Sequence, residues 1–279
     1  MSDVAYFNGS YLPREEVHLS PDDRGFLFAD GVYEVARSYG GKFFALEEHL
    51  ERMARGLTAL RIAGVEATSL APVCRGLLER NGLGKADAMV YIQVTRGAAP
   101  RVHAFPNPPV APTVYVVTKP FKPKGDPRTG VSIITVPDQR WTRCDIKSVA
   151  LLPNCLAAQQ ALDAGADEAV LVRDGVVLEG THTSFFGVFG GVVRTAPKSN
   201  YILPSITRGV ALELCREHGI PAEEAPIFLS ELGSAEEMFL AGTTVEIMPV
   251  VCADGRPVGD GKPGPMVQRL LELFRAKTG

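Results

Sequence analysis

Apolar and polar positions alternate over short stretches in the first part of the chain, and glycine pairs punctuate them. That pattern predicts strands joined by tight turns. Ala5-Tyr6-Phe7 and Ser10-Tyr11-Leu12 flank Asn8-Gly9, a dipeptide suited to the left-handed backbone of a two-residue hairpin turn. Val32 to Tyr39, then Gly40-Gly41, then Lys42 to Ala45 predicts a second hairpin. From Glu47 the period changes: Leu50, Met53, Leu57 and Leu60 fall on one face of a helix. Leu70, Val73, Leu77 and Leu78 mark another helix, ended by Asn81-Gly82. Ala88 to Thr95 and Thr113 to Thr118 are β-rich. The proline-laden stretch between them, Ala99 to Pro112, is too long for a tight hairpin and is a candidate functional loop.

Lys119-Pro120-Phe121-Lys122-Pro123-Lys124-Gly125 breaks the pattern with prolines and charge. The expected division is therefore a small N-terminal α+β domain over residues 1–118, a linker over 119–125 and a larger C-terminal α+β domain over 126–279. In the second part, Val131 to Val136 predicts a strand and Cys155 to Ala164 a helix. Strand pairs are expected to turn at Asp174-Gly175 and Gly190-Gly191. Met238 to Ala241 reads as a further strand. Helices are expected from Ile206 and over Pro265 to Ala276. Strands and helices mixed without regular βαβ alternation predict an α+β architecture. No GxGxxG or P-loop motif is present, which argues against dinucleotide and nucleoside-triphosphate chemistry.

Bulk properties narrow the field. The chain has 279 residues, 46% hydrophobic and 22% charged, as expected of a globular protein with a sizeable core. A net charge of −3 gives no electrostatic case for nucleic acid or an anionic membrane as partner. No uninterrupted apolar run approaches the roughly 20 residues of a spanning helix. The N-terminus lacks a basic region followed by an apolar stretch, so no secretory signal is expected. The five cysteines are odd in number, scattered and without a CxxC pair. Reduced thiols in a cytoplasmic protein are expected, with neither a zinc site nor a disulfide framework.

The candidate chemistry begins with Lys147 in Asp145-Ile146-Lys147-Ser148, next to the apolar run Val149-Ala150-Leu151-Leu152, and with Glu179 in Glu179-Gly180-Thr181. A lysine desolvated by apolar neighbours can present a neutral amine to an aldehyde, and a carboxylate can keep a ring nitrogen protonated. A solvated lysine and an exposed strand-end carboxylate are the plain alternatives. Pro204-Ser205-Ile206-Thr207-Arg208 has the composition of a helix start with Ser205 as N-cap, where free N–H groups bind anions. Gly242-Thr243-Thr244 is a small hydroxyl-bearing turn, and Arg52 offers a guanidinium fork to the same anion. Arg101-Val102-His103 puts two basic side chains on one face of an extended segment, suited to gripping a carboxylate, and Tyr33 offers a hydroxyl. A cap, a polar turn and solvated loop residues are the ordinary readings of the same segments.

Asp23-Arg24-Gly25, Asp30-Gly31-Val32-Tyr33-Glu34-Val35, Glu48-His49-Leu50-Glu51-Arg52, Gln93-Val94-Thr95-Arg96-Gly97, Arg101-Val102-His103, Arg143-Cys144-Asp145-Ile146-Lys147-Ser148, Glu179-Gly180, Ile206-Thr207-Arg208 and Thr243-Thr244-Val245-Glu246 follow one another in order. In this the chain resembles the D-amino-acid aminotransferases, which are fold-type IV pyridoxal-phosphate enzymes, from about Tyr6 to the C-terminal helix. The resemblance implies a two-domain α+β enzyme with pyridoxal 5'-phosphate between the domains and no metal. It implies transamination between a D-amino acid, such as D-alanine or D-glutamate, and a 2-oxo acid. Lys147, in the C-terminal domain, would be the Schiff-base lysine, and Glu179 would face the ring nitrogen. Arg52, Ile206, Thr207, Thr243 and Thr244 would anchor the phosphate. Tyr33, Arg101 and His103 would trap the substrate carboxylate, with the arginine and histidine reaching in from the neighbouring subunit of a homodimer.

The chain departs from the family pattern in places. Thr181-His182-Thr183-Ser184 stands where relatives often carry serines and then asparagine. Gly242 stands where a serine is common, and Pro204-Ser205 alters the entry to the phosphate helix. The alternatives are an L-branched-chain aminotransferase, an aminodeoxychorismate lyase and a cofactor-carrying protein without turnover. The Arg101/His103 pair speaks against the first.

Overall fold

The computed structural model describes residues 3–123 and 125–278. Met1 and Ser2 of the N-terminal segment, Lys124 of the expected linker, and Gly279 lie outside them. Two compact units are present, Met1–Lys122 with Ile146–Ala150, and Pro123–Asp145 with Leu151–Gly279. The architecture is α+β, as the mixed pattern predicts.

The first unit contains β1 (Val4–Phe7), β2 (Ser10–Pro13), α1 (Arg24–Phe28), β3 (Gly31–Tyr39), β4 (Lys42–Phe43), α2 (Leu46–Leu60), α3 (Ala71–Arg80), β5 (Ala88–Thr95) and β6 (Thr113–Pro120). Its strands form an antiparallel sheet in the order β2-β1-β6-β5-β3-β4. Asn8 and Gly9 both take positive φ in the first turn, the conformation that the dipeptide favours. Alternation then sorts the faces. Val32 and Ala36 of β3, Val90, Ile92 and Val94 of β5, and Val116 of β6 pack with Leu46, Leu50, Met53 and Leu57 of α2. Burying one leucine of this kind contributes about 2 kcal/mol, and Leu50→Ala would cost about 2–5 kcal/mol through the cavity it leaves. Gly56 allows α2 to lie close on β3, since a Cβ there would stand 3.1 Å from Val32 Cγ1.

Ile146 belongs to this same core, and it brings the segment after it along. The Tyr33 N–H donates to Lys147 O at 3.0 Å and the Val149 N–H to Gly31 O at 3.1 Å. Lys147, which the linear pattern assigns to the C-terminal part, is thus grouped with the first unit by packing and backbone pairing.

The second unit contains β7 (Val131–Pro137), α4 (Leu152–Asp163), β8 (Glu168–Arg173), β9 (Val176–Gly180), β10 (Ser184–Phe189), β11 (Val192–Thr195), α5 (Ile206–Glu217), β12 (Ala222–Glu224), β13 (Ile227–Phe228), β14 (Glu237–Gly242), β15 (Glu246–Ala253), β16 (Arg256–Pro257) and α6 (Pro265–Thr278). The strand order runs β12-β11-β10-β14-β15-β7-β8-β9-β13. A further pairing of β9 with β10, Glu179 opposite Ser184, closes β10-β14-β15-β7-β8-β9 into a barrel. Its interior is apolar, with Ile133, Val170, Val177, Phe185, Leu240 and Val250 among the buried residues. Helix α4 begins at Leu152, earlier than the expected Cys155, because Pro153 falls in its first turn, where no N–H partner is required. Helix α5 packs on β14 and on α6. No helix among the described residues is long and apolar enough to cross a membrane.

Candidate functional site

In the first unit, the half-buried Lys147 places its Nζ 3.3 Å from the Tyr33 hydroxyl, which accepts its hydrogen bond. The same Nζ lies 4.3 Å from the centre of the Tyr33 ring. Tyr33 in turn stacks on Tyr91, whose hydroxyl donates to Gln93 Oε1. Burial, with Tyr33 adding to it, pushes the Tyr91 phenol up to about 12, so it stays a neutral donor. Strand alternation fixes this arrangement. Tyr33 stands opposite Gln93 in the antiparallel register, on the face of the sheet away from α2.

Arg52 does not stand alone. Its Nε and Nη2 donate to Glu34 Oε1 and Oε2 at 2.7 and 2.8 Å, and His49 Nδ1 lies 2.7 Å from Oε2. All three side chains are buried. Burial raises the Glu34 carboxyl, but the Arg52 charge and the hydrogen bonds from Arg52 and His49 outweigh it and carry it down to about 2. Burial holds the His49 imidazole below its ordinary value against the pull of Glu34. The neutral ring therefore carries its proton on Nδ1 and donates it to the carboxylate. Glu34 and His49 belong to the sequence motifs, yet nothing in the pattern of β3 or α2 signals that they pair with Arg52.

Arg101 and His103 lie on the loop between β5 and β6 and are exposed. Both rest against Phe28 of α1, with the Arg101 guanidinium carbon 5.2 Å and the His103 ring 5.6 Å from the Phe28 ring centre.

In the second unit, Glu179 is buried near the end of β9. Its Oε1 accepts from Arg140 Nη1 at 2.5 Å, and the Leu203 N–H lies 3.2 and 3.1 Å from its two oxygens. Arg140 is held by Asp138, which Arg173 also contacts at 3.0 Å. Glu179 thus has a fixed orientation and a compensated charge. The arginine that supplies this sits in Asp138-Gln139-Arg140, a polar stretch after a strand that reads as surface loop. Only glycine fits after Glu179, since a Cβ at Gly180 would stand 2.2 Å from Thr183 Oγ1.

The departures from the family pattern have partners. Thr181 Oγ1 donates to Glu168 Oε1 at 2.6 Å, and His182 Nδ1 lies 2.9 Å from Glu168 Oε2. Burial works to raise the Glu168 carboxyl, but His182 and Thr181 bring it below its ordinary value.

Ser205 caps α5, its Oγ accepting from the Arg208 N–H at 3.2 Å. The N–H groups of Ile206 and Thr207, at the start of the helix, have no intrahelical acceptor and suit an anion. Thr207 is buried. Thr243 and Thr244 are half-buried in the turn between β14 and β15, and β14 is the strand on which α5 packs.

Each unit thus holds candidate groups of its own. The first presents an amine beside a phenol, and the second presents an arginine-held carboxylate with a capped helix start. A family model described as amino-transferase class IV matches residues 31–252. The chain belongs to that family. Curated relatives include the D-alanine aminotransferase of Staphylococcus haemolyticus, 39% identical over 96% of this chain and 95% of its own length. The D-alanine aminotransferase of Bacillus licheniformis is 40% identical over 95% of this chain and 93% of its own. Among solved structures, the branched-chain amino acid aminotransferase of Escherichia coli superposes with a TM-score of 0.93 at 24% identity, over 99% of this chain and 94% of its own, a likeness of fold. The branched-chain aminotransferase of the thermophilic archaeon Thermoproteus uzoniensis, solved with norvaline, gives 0.88 at 26% identity, over 100% of this chain and 95% of its own.

Proposed function

We propose that the protein transfers an amino group between a D-amino acid and a 2-oxo acid, using pyridoxal 5'-phosphate. The observation that carries the reading is Lys147, a half-buried lysine whose Nζ is hydrogen-bonded to Tyr33 on the sheet face away from the core. Relatives bearing the D-alanine aminotransferase name at 39 and 40% identity favour the D-amino-acid branch.

The chain fits the cofactor. Lys147 would attach to it, and the buried, arginine-compensated Glu179 suits a hydrogen bond from a protonated ring nitrogen. Ile206, Thr207, Thr243 and Thr244 supply N–H and hydroxyl donors for a phosphate, and Arg52 supplies charge. When bound, the cofactor provides an aldehyde that captures an amine and a ring that accepts electrons. Lys147 Nζ then moves the proton of the substrate α-carbon, with Tyr33 Oη holding the amine in line. Tyr33, Arg101 and His103 hold the substrate carboxylate, and its placement decides which face of the α-carbon meets Lys147. We further propose a homodimer in which Arg101 and His103 serve the neighbouring subunit's site. The scattered free cysteines suit a reducing compartment, so the proposal includes a cytoplasmic location.

The test is a substrate panel in both enantiomers with 2-oxoglutarate as acceptor. D-alanine or D-glutamate should outperform its L form by a wide margin. Arg101→Ala should lower kcat/KM for D-alanine about 10- to 150-fold, the loss of a charge-assisted hydrogen bond of roughly 1.5–3 kcal/mol. If L-leucine or L-valine outperforms every D-amino acid, the protein is a branched-chain aminotransferase and the reading is wrong.

A further inference from the structure

The loop that carries Arg101 and His103 is exposed, yet a buried arginine grips its backbone from beneath. Arg24, 3% exposed at the start of α1, directs its guanidinium into the loop. Its Nη1 donates to Val102 O at 2.6 Å and reaches Ala104 O at 3.4 Å, while Nη2 donates to His103 O at 3.3 Å. Its Nε donates to Asp30 Oδ2 at 2.9 Å. Asp30 is shared with a second buried arginine, Arg96, which approaches Oδ2 at 2.7 Å and Oδ1 at 2.9 Å. Arg96 is itself anchored on Arg61 O and Leu60 O at the end of α2, and its guanidinium lies 3.6 Å from the centre of the Phe105 ring. Backbone contacts hold the start of the loop, the Ala99 N–H donating to Asp22 O.

We propose that Arg24, Asp30 and Arg96 form a clamp that sets the position of Arg101 and His103, making Arg24 a positioning residue for carboxylate recognition. The inference rests on the reading of Arg101 and His103 as the carboxylate-binding pair.

The physical argument is one of stiffness. A loop this rich in proline can still pivot as a body, and long side chains at its tip amplify any pivot. Three consecutive carbonyls held by one guanidinium remove that freedom, because a planar fork cannot follow a rotating backbone without losing bonds. Burial of Arg24 makes the grip expensive to release, since the freed guanidinium would lose its partners beneath the loop. Asp30 keeps the fork aimed. Burial works to raise its carboxyl, and Arg96 and Arg24 bring it below its ordinary value, so it stays charged at neutral pH. Phe28 adds to the support, with Arg24, Arg101 and His103 all against its ring. The clamp joins motif residues to which the amino-group chemistry assigns no part.

The test compares holoenzymes of wild type, Arg24→Met, Arg24→Lys and Arg101→Ala. Arg24→Met keeps the apolar stem and removes every donor. Amide hydrogen exchange over residues 101–105 should speed up about 10- to 100-fold in that variant, with the amides of α2 unchanged. KM for D-alanine should rise about 10-fold while kcat stays within about 3-fold, because Lys147 and its surroundings are untouched. Arg24→Lys, which keeps the charge on Asp30 but not the fork, should fall between, and it carries the test if Arg24→Met does not fold. Unchanged loop exchange in the folded variant overturns the clamp. Faster exchange with an unchanged KM overturns its role in recognition, provided Arg101→Ala raises KM. An unchanged KM in Arg101→Ala refutes the carboxylate reading itself, and the exchange measurement still decides whether Arg24 orders the loop.

Discussion

The buried cluster of Glu34, His49 and Arg52 makes a prediction that is tested on the protein without cofactor. Glu34→Gln keeps the shape of the side chain and removes its charge. The wild-type carboxyl is carried from an ordinary 4.5 down to about 2, chiefly by Arg52 acting against burial. A native-state value below the unfolded one means that stability is present above about pH 4.5 and is lost as the pH falls through about 2. The difference corresponds to an upper figure of about 3 kcal/mol. At pH 7 the substitution should cost about 3–5 kcal/mol, since it leaves Arg52 buried without its counter-charge. Urea unfolding followed by far-UV circular dichroism, run from pH 7 to pH 2 on both proteins, measures the gap. It should be large at neutral pH and should narrow between about pH 4.5 and 2, where the unfolded wild-type chain takes up the Glu34 proton while the native carboxylate still resists it. His49, held below its ordinary 6.5 mainly by burial, adds acid sensitivity to both proteins from about pH 6.5 downward. Because Glu34 pulls the His49 imidazole upward in the wild type alone, this sensitivity is greater in the variant, and Glu34 itself is read from the change in the gap below pH 4.5. A gap that stays constant from pH 7 to pH 2, or a variant as stable as wild type at pH 7, would refute the assignment of a charged, structurally committed carboxylate.

The remaining expectations concern the proposed chemistry. Lys147→Ala should abolish transamination and the borohydride-reducible link to the cofactor, and near-normal turnover in the purified variant would remove Lys147 from its role. Glu179→Gln should retain the fold but slow the proton-transfer step and alter the absorbance of the bound cofactor; an unchanged single-turnover rate with an unchanged spectrum argues decisively against it. Mixing Lys147→Ala with Arg101→Ala protein should restore some activity, because one site of each hybrid dimer would have both residues intact. If subunit exchange is verified and no activity returns, the loop serves its own chain.

Much of the fold was legible because it is encoded locally. Asn8-Gly9 specifies a turn by its own backbone preference, and the leucine spacing of α2 specifies a face that finds its core. Ser205 caps α5 by accepting from an N–H three residues away. The elements missed are those whose signal is short or contradicted. β12, β13 and β16 have three, two and two residues, too few to show a period. β15 contains Pro249, which reads against a strand because it cannot donate to a ladder, yet it is accommodated opposite Phe239.

The same contrast holds for the candidate site, and it explains where sequence is mute. Lys147, Glu179 and Arg52 stood out as residue types at suggestive places, but what holds each was not readable. Glu34 meets Arg52 from a different element, Arg140 reaches Glu179 from a loop that looks solvated, and Arg24 finds carbonyls near position 103. In each case a charged residue is most often the sign of a wet surface, and nothing local distinguishes the buried exception. A buried charge must nonetheless be paired, so wherever such a segment folds inward a partner has to exist elsewhere in the chain. Those obligatory pairings fix the orientation of the candidate groups, and the chain can change the residues around them, as at Thr181 and His182, only by providing a Glu168 to receive them.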